Sequence, residues 1–268
     1  MRRILFALKT AGLILGISLL TVLSGYGQAS GVSRKADRRA QPRPSIKASR
    51  ILSFHHYSFL RLARKEVVSV GVDSLYVDTL VMDDKSALFF PSNTRLMVNH
   101  AVIGAQCSLL AAGQNGREPG SSGEDGKSLE IHMVLDKLGD LAIDTRGGHG
   151  AAGVAGKPGE SALGYQGMGG NGGPGGNGGH GGALRLFYKG EGFHPVFNGE
   201  GNNTITLHYE GGKAGAGGQG GMGGKKLVTD GTGKTTLCGS CPTGPKGSSG
   251  PGGAPGADGE LKLERISH

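Results

Sequence analysis

The chain has 268 residues, of which 54 are glycine, none is tryptophan and only 5% are aromatic. Glycine averages about 7% of ordinary chains, so this composition excludes an aliphatic core running through the whole molecule. The net charge of +8 suggests nucleic acid only until it is divided along the chain. A basic leader and residues 34–50 carry the excess, and the remainder is close to neutral.

In chain order, Arg2, Arg3 and Lys9 form a basic n-region beside the apolar run from Thr10 to Leu23. Gly27 and Ala29 follow as the small residues of a cleavage site, which predicts a secretory signal peptide over 1–29. The apolar run falls short of the roughly 20 residues that span a bilayer; an uncleaved anchor is the alternative. No cysteine lies near the junction, so lipid attachment is not expected there. Residues 30–66 read as a basic flexible linker, with Arg34, Lys35, Arg38, Arg39, Arg43, Lys47 and Arg50 against Asp37, suited to touching an anionic surface. Within it, 51–65 is ambiguous between helix and strand.

Residues 67–112 hold short apolar runs at 75–77, 79–82, 87–90, 95–98 and 101–103. Asp83-Asp84, Pro91-Ser92-Asn93 and Asn99-His100 separate them. The spacing suits a parallel β-solenoid base, with a small sandwich as the alternative.

From 113 to 268 the glycines fall in register. They recur every third residue over 147–159, 164–182, 212–224 and 244–259, and in a shorter, interrupted run over 113–116 and 120–126. Period three is the repeat of polyproline II, and a glycine on every turn leaves one edge bare for a neighbouring backbone. Collagen needs long unbroken tracts rich in proline; these are short, and the chain has 11 prolines. An intramolecular bundle is therefore expected in preference to a collagen-like trimer. The tracts pair as three hairpins about 117–119, 160–163 and 225–243. Strand-like runs at 129–135, 140–145, 183–188, 204–209 and 261–266 launch and receive them. The expected fold class is all-β: a short parallel β-solenoid or small sandwich with an inserted bundle of about six Gly-X-Y polyproline-II helices.

The passages from Val72-Asp73-Ser74-Leu75 to Gly113, from Gly139 to Gly148, and the Gly-Gly-Asn-Gly-Gly run resemble the collagen-like, glycine-rich exported proteins of Bacteroidota-type bacteria. The resemblance covers about Val72 to Ile266 and implies architecture and an exported location, but no activity. In period alone, the tracts are also similar to the snow flea antifreeze protein and to the receptor-binding tips of some phage tail adhesins.

Signals of site chemistry are few. Gly126-Lys127-Ser128 and Gly233-Lys234-Thr235 imitate the end of a phosphate loop, but Ser121 and Val228 stand where its first glycine is required. Cys238-Gly239-Ser240-Cys241 lacks the following helix of a redox motif, so it reads as a local disulfide pinning the 225–243 loop; a metal site, a redox role and pairing with Cys107 are the alternatives. Cys107 itself reads as a small core residue. His149 and His180 occupy X/Y positions of adjacent tracts and could face each other; no histidine set has metal-ligand spacing. No catalytic residue, cofactor or metal is assigned. The candidate partner-binding surface consists of Asn171, Asn177, His180, His149, Met168, Gln219 and Met222, unless these merely solvate the tracts. The expectation is a non-enzymatic exported protein of the periplasm, outer membrane surface or exterior, monomeric by itself. It would present a rigid surface to an envelope protein or polysaccharide and not to nucleic acid. The alternatives are a collagen-like homotrimeric spacer and a polysaccharide-active β-solenoid enzyme.

Overall fold

Aliphatic residues alternate with polar ones from Arg50 onward, and wherever they do the chain is extended and half-buried, as period-two patterning requires. The computed structural model describes residues 47–266; the expected signal peptide and the linker up to residue 46 lie outside the described residues. Early strands are β1 (Arg50–Leu52), β2 (His56–Leu62), β3 (Val67–Val70), β4 (Ser74–Met82), β5 (Ala87–Phe89), β6 (Thr94–Ile103) and β7 (Cys107–Leu110). Beyond them come β8 (Leu129–Leu138), β9 (Asp140–Asp144), β10 (Ser161–Ala162), β11 (Tyr165–Gln166) and β12 (Leu184–Gly190). The last are β13 (Val196–Phe197), β14 (Thr204–His208), β15 (Leu227–Thr229), β16 (Thr235–Leu237) and β17 (Leu261–Arg265). No helix occurs among the described residues, and the fold is all-β.

β10–β11 and β15–β16 form separate antiparallel pairs, and two parallel sheets hold the other thirteen strands. One runs β1-β3-β5-β7-β9-β14-β13 and the other β17-β12-β8-β6-β4-β2. The chain visits them alternately, except that β13 and β14 follow each other on the first, so each turn lays strand on both sheets. Register then places like on like: Leu75, Leu96, Ile131, Leu186 and Leu263 align across the second sheet. Val68, Leu88, Leu109, Ile143 and Leu207 align across the first. Most of these side chains turn inward to a single core, with Phe90 and Leu62 among its largest fully buried members. Burying such a side chain contributes about 1.5–3 kcal/mol, which offsets the ordering of a glycine-rich chain elsewhere.

Several sequence expectations shift. The ambiguous 51–65 segment forms strand, because Leu52, Leu60 and Leu62 supply core contacts to β3 and β4. The base thus begins at Arg50 and not at 67, and the linker boundary at 66 does not hold. Nor is 112 a boundary, since β8, β9, β12, β14 and β17 complete the same two sheets. Asn99-His100 is not a turn; it lies within β6, where pairing with β8 slips between Val98 and Ala101.

The two corners of each turn differ. The corner from second sheet to first stays short; Lys65, Lys85 and Gln106 take a left-handed φ of 63°, 64° and 56° there. Its one extension among the described residues is 191–203, which carries β13 between β12 and β14; the opposite corner takes the long insertions. It is brief after β3 and β5, but residues 111–128 follow β7, 145–183 follow β9 and 209–260 follow β14. All three glycine-rich segments therefore emerge from one corner on successive turns.

Candidate interaction surface

Leaving the first sheet are tracts 113–116, 147–159 and 211–224; returning to the second are 120–126, 167–182 and 244–259. Gly164, with φ 72°, belongs to the β10–β11 reversal, so the second returning tract starts at Gly167 and not at 164. Neither sheet includes the tracts; they bond to one another. Gly147, Gly150, Gly153, Gly156 and Gly159 donate to the carbonyls of Glu210, Lys213, Ala216, Gln219 and Met222 in the next outgoing tract. Gly170, Gly173, Gly176 and Gly179 donate back to Lys157, Val154, Ala151 and Gly148. Gly212 through Gly224 donate, every third residue, to Gly179 through Gly167, and Gly244 through Gly256 to Gly224 through Gly212. Outgoing tracts run parallel to one another, returning tracts likewise, and the two sets are antiparallel.

Glycine content follows neighbour number. In 167–182 one glycine of each triplet donates to 147–159, and a second (Gly169, Gly172, Gly175, Gly178, Gly181) donates to the carbonyls of Pro245, Ser248, Pro251, Ala254 and Ala257. A Cβ on Gly172 would overlap the Gly218 carbonyl, and one on Gly218 would overlap that of Val154. Peripheral tracts need only one glycine per triplet.

The remaining backbone N–H groups explain most of the polar residues singled out in the sequence. Along 244–259, the N–H opposite Asn171 is that of Ser248, opposite Asn177 that of Ala254, and opposite His180 that of Ala257. Each donates to the facing side chain, Oδ1 or Nδ1, at 2.9 Å. Where the facing residue is Met168 or Pro174, the opposite residue is Pro245 or Pro251, which has no N–H to cap. The same logic runs one tract inward: Ser122 and Asp125 accept from the N–H groups of Asn177 and His180. His149 Nδ1 accepts from Lys213 N–H at 2.9 Å, and its own N–H is taken by Asn115. His149 and His180 thus cap different tracts, His149 that of Lys213 and His180 that of Ala257.

Of the seven candidate surface residues, Asn171, Asn177, His180 and His149 are committed to backbone capping. Met168, Gln219 and Met222 project outward, with Met168 and Met222 64% and 76% exposed. Met168 lies on a returning tract and the other two on the outgoing tract that packs against it. The signal that could have found the caps is the constant offset at which Asn, His or Pro on one tract faces Ser, Ala or Pro on the next.

Elsewhere, Cys238 and Cys241 are joined in a disulfide, their Cα atoms 5.4 Å apart, beside β16. Cys107 is buried in β7, and burial pushes its thiol pKa up. Gly126-Lys127-Ser128 leads into β8, and Gly233-Lys234-Thr235 turns between β15 and β16. Histidines meet single carboxylates: His56 with Asp78, His100 with Asp136 and His132 with Glu130. Where the tracts spring from the base lies an open cleft of about 460 Å³ whose lining includes Asp73, Asn93, Arg95, Glu130 and Arg185. Arg95, Glu130, Arg185 and Lys262 stand in register on four successive strands of the second sheet. The hydrogen bond from His132, reinforced by Arg95 at 2.9 Å, holds the Glu130 carboxyl below the usual carboxylate range. No protein-family model matches the chain, and no significant match was found among curated proteins or solved structures.

Proposed function

We propose that this is a non-enzymatic, exported protein of the cell envelope or cell surface that presents a rigid array of polyproline-II tracts, mounted on a short β-solenoid, to a protein or glycan partner. The observation that carries the reading is the glycine-by-glycine hydrogen bonding of the tracts within one chain. Donors that a collagen trimer would give to other chains are used internally here, which favours a monomer over a homotrimeric spacer. Period three with one or two bare edges per tract is the repeat expected of packed polyproline II. Side chains and prolines that silence leftover N–H groups make the surface stiff, and a preorganised surface loses little entropy on binding. An exported location agrees with the N-terminal sequence and with the resemblance to glycine-rich exported proteins.

For a glycan partner, the cleft at the foot of the tracts offers Arg95 and Arg185, with Lys262 next in the row. Arg95 and Arg185 are paired with Glu130 and Glu260, and Asp73 lines the same cleft, so a hydroxyl-rich glycan suits it. Glu130 sits among these cations as an ion-paired carboxylate, which suits hydrogen bonding to hydroxyls better than proton donation to a glycosidic bond.

The test combines three measurements on the mature chain: far-ultraviolet circular dichroism, native mass by light scattering, and binding against a glycan array and envelope extracts. A polyproline-type spectrum, the mass of one chain and a saturable partner are expected. A stable trimer, or release of reducing ends from a polysaccharide, would overturn the reading.

A further inference from the structure

The hairpin of 113–126 is shorter than the one of 147–182 that it lies against. In the filled part of its lane, Gly148 and Ala151 donate N–H to the carbonyls of Glu124 and Ser121. The carbonyls of Asn177 and His180 accept from Gly123 and Gly126, while their own N–H groups are capped by Ser122 and Asp125. Past the 117–119 reversal the lane continues without an occupant among the described residues. Its rows of polar groups continue too. Val154 and Lys157 extend the donor row, and Asn171 and Met168 extend both the acceptor row and the row of N–H groups awaiting a cap. These groups have no backbone hydrogen-bond partner among the described residues.

The glycines on the floor of this empty stretch are held less tightly by the fold than those in the filled part. Gly176 and Gly179 must be glycine because a Cβ would overlap the carbonyls of Ser121 and Glu124 in the first hairpin. A Cβ on Gly173 would meet nothing nearer than Val154 N at 3.4 Å, and one on Gly170 only Lys157 N at 3.1 Å. Val154 and Met168 border the stretch with apolar side chains 58% and 64% exposed.

We propose that this stretch is a binding groove for an extended peptide segment of a partner protein, carrying glycine at every third residue. The periodicity of the ligand follows from the filled lane, where a Cβ on Gly123 or Gly126 would overlap the carbonyl of Gly148 or Thr145. Of the ligand's remaining residues, those placed as Ser122 and Asp125 are in the filled lane need short polar side chains to cap the N–H groups of Asn171 and Met168, and composition at the third position of each triplet is tolerated. This inference rests on the reading of the tracts as a presenting surface and names what that surface takes.

The experiment uses a fluorescent peptide with two copies of Ser-Ser-Gly-Glu-Asp-Gly, the sequence of 121–126, and a second peptide with its glycines replaced by alanine. Anisotropy titrations are run with the wild-type chain, with Gly173→Val, which fills the lane, and with Lys157→Pro, which deletes one donor. Circular dichroism is recorded on each protein. Saturable binding of the glycine peptide is expected, at least tenfold weaker for the alanine peptide and for either variant. Absence of saturable binding, or equal binding of the two peptides, overturns the groove while an intact polyproline-type spectrum leaves the presenting surface standing. Loss of that spectrum from the wild type removes both readings. Self-association abolished by Gly173→Val would replace the separate partner with a second copy of this chain.

Discussion

Gly218→Ala tests whether backbone proximity holds the tracts together. Gly218 donates to the Gly173 carbonyl and accepts from Gly250 N–H, both at 2.8 Å. A Cβ would lie well inside contact distance of the Val154 carbonyl, with the Gly153 backbone 3.0 Å away. No flexible side chain is there to move, so tract 211–224 must back away from 147–159. Overpacking of this kind costs about 1–3 kcal/mol, and weakening two hydrogen bonds costs about 1 kcal/mol each. The sum is about 3–5 kcal/mol. At roughly 2–4 °C per kcal/mol for a chain of this size, Tm should fall by on the order of 10 °C. Gly252→Ala is the internal control. Its Cβ meets nothing nearer than the Gly215 carbonyl at 3.6 Å, and its φ is not left-handed. Alanine there restricts the unfolded chain by about 0.4–1 kcal/mol, so Tm should hold or rise by a few degrees. Thermal unfolding followed by circular dichroism measures both. If Gly218→Ala melts within about 2 °C of wild type, or Gly252→Ala falls as far as Gly218→Ala, the reasoning fails.

Asn177→Ala should cost about 1 kcal/mol by uncapping Ala254 N–H, and adding Ala254→Pro should recover most of it, as Pro251 opposite Pro174 does naturally. A double-mutant cycle in urea with no coupling would remove the capping account. At the outer edge, Lys246, Ser249, Pro255 and Asp258 occupy the triplet position that is glycine throughout 167–182. Replacing all four by glycine should let further tracts pack and give higher-mass species by light scattering; a persistent monomer would show that these residues do not guard the edge. Glu130 has a depressed folded pKa, so its contribution is present above the unfolded carboxylate pKa of about 4.3 and is lost as pH falls through the folded value. Glu130→Gln should therefore lower stability at neutral pH by less than about 1 kcal/mol, with the difference vanishing in acid-titrated denaturant melts.

The strands were legible because their chemistry is local. Alternation in 129–135, 140–145 and 204–209 declares one buried face, and β8, β9 and β14 lie there. Asn99-His100 misled because asparagine and histidine on an exposed slip in register look the same as a turn. The 51–65 segment misled because its Arg and His residues line the solvent face of β2, at the sheet's edge, where only alternate residues are buried. For the candidate surface, the triplet register gave the tracts and their pairing into hairpins. What it could not give is which neighbour each X or Y residue faces. Asn177 and Met168 hold equivalent positions in their triplets, yet one caps Ala254 and the other projects into solvent. The difference lies in residue 254 having an N–H and residue 245 being proline.

That dependence points to how the architecture is built. A turn of the two-sheet base fixes where each hairpin begins and ends, since β7, β9 and β14 lie side by side in one sheet and β8, β12 and β17 in the other. Segments leaving adjacent parallel strands at the same corner start parallel and one strand-spacing apart, near 4.8 Å. At that separation there is no room for side chains between neighbours, so the facing position of each triplet must be glycine and its N–H must meet a carbonyl. The period-three glycine is thus a consequence of insertion at a repeated corner. The apolar core of the base supplies the order that a free glycine-rich chain lacks. Hairpin length is then unconstrained by the base, which is why 113–126 can stop short and leave part of its lane open beside 147–182.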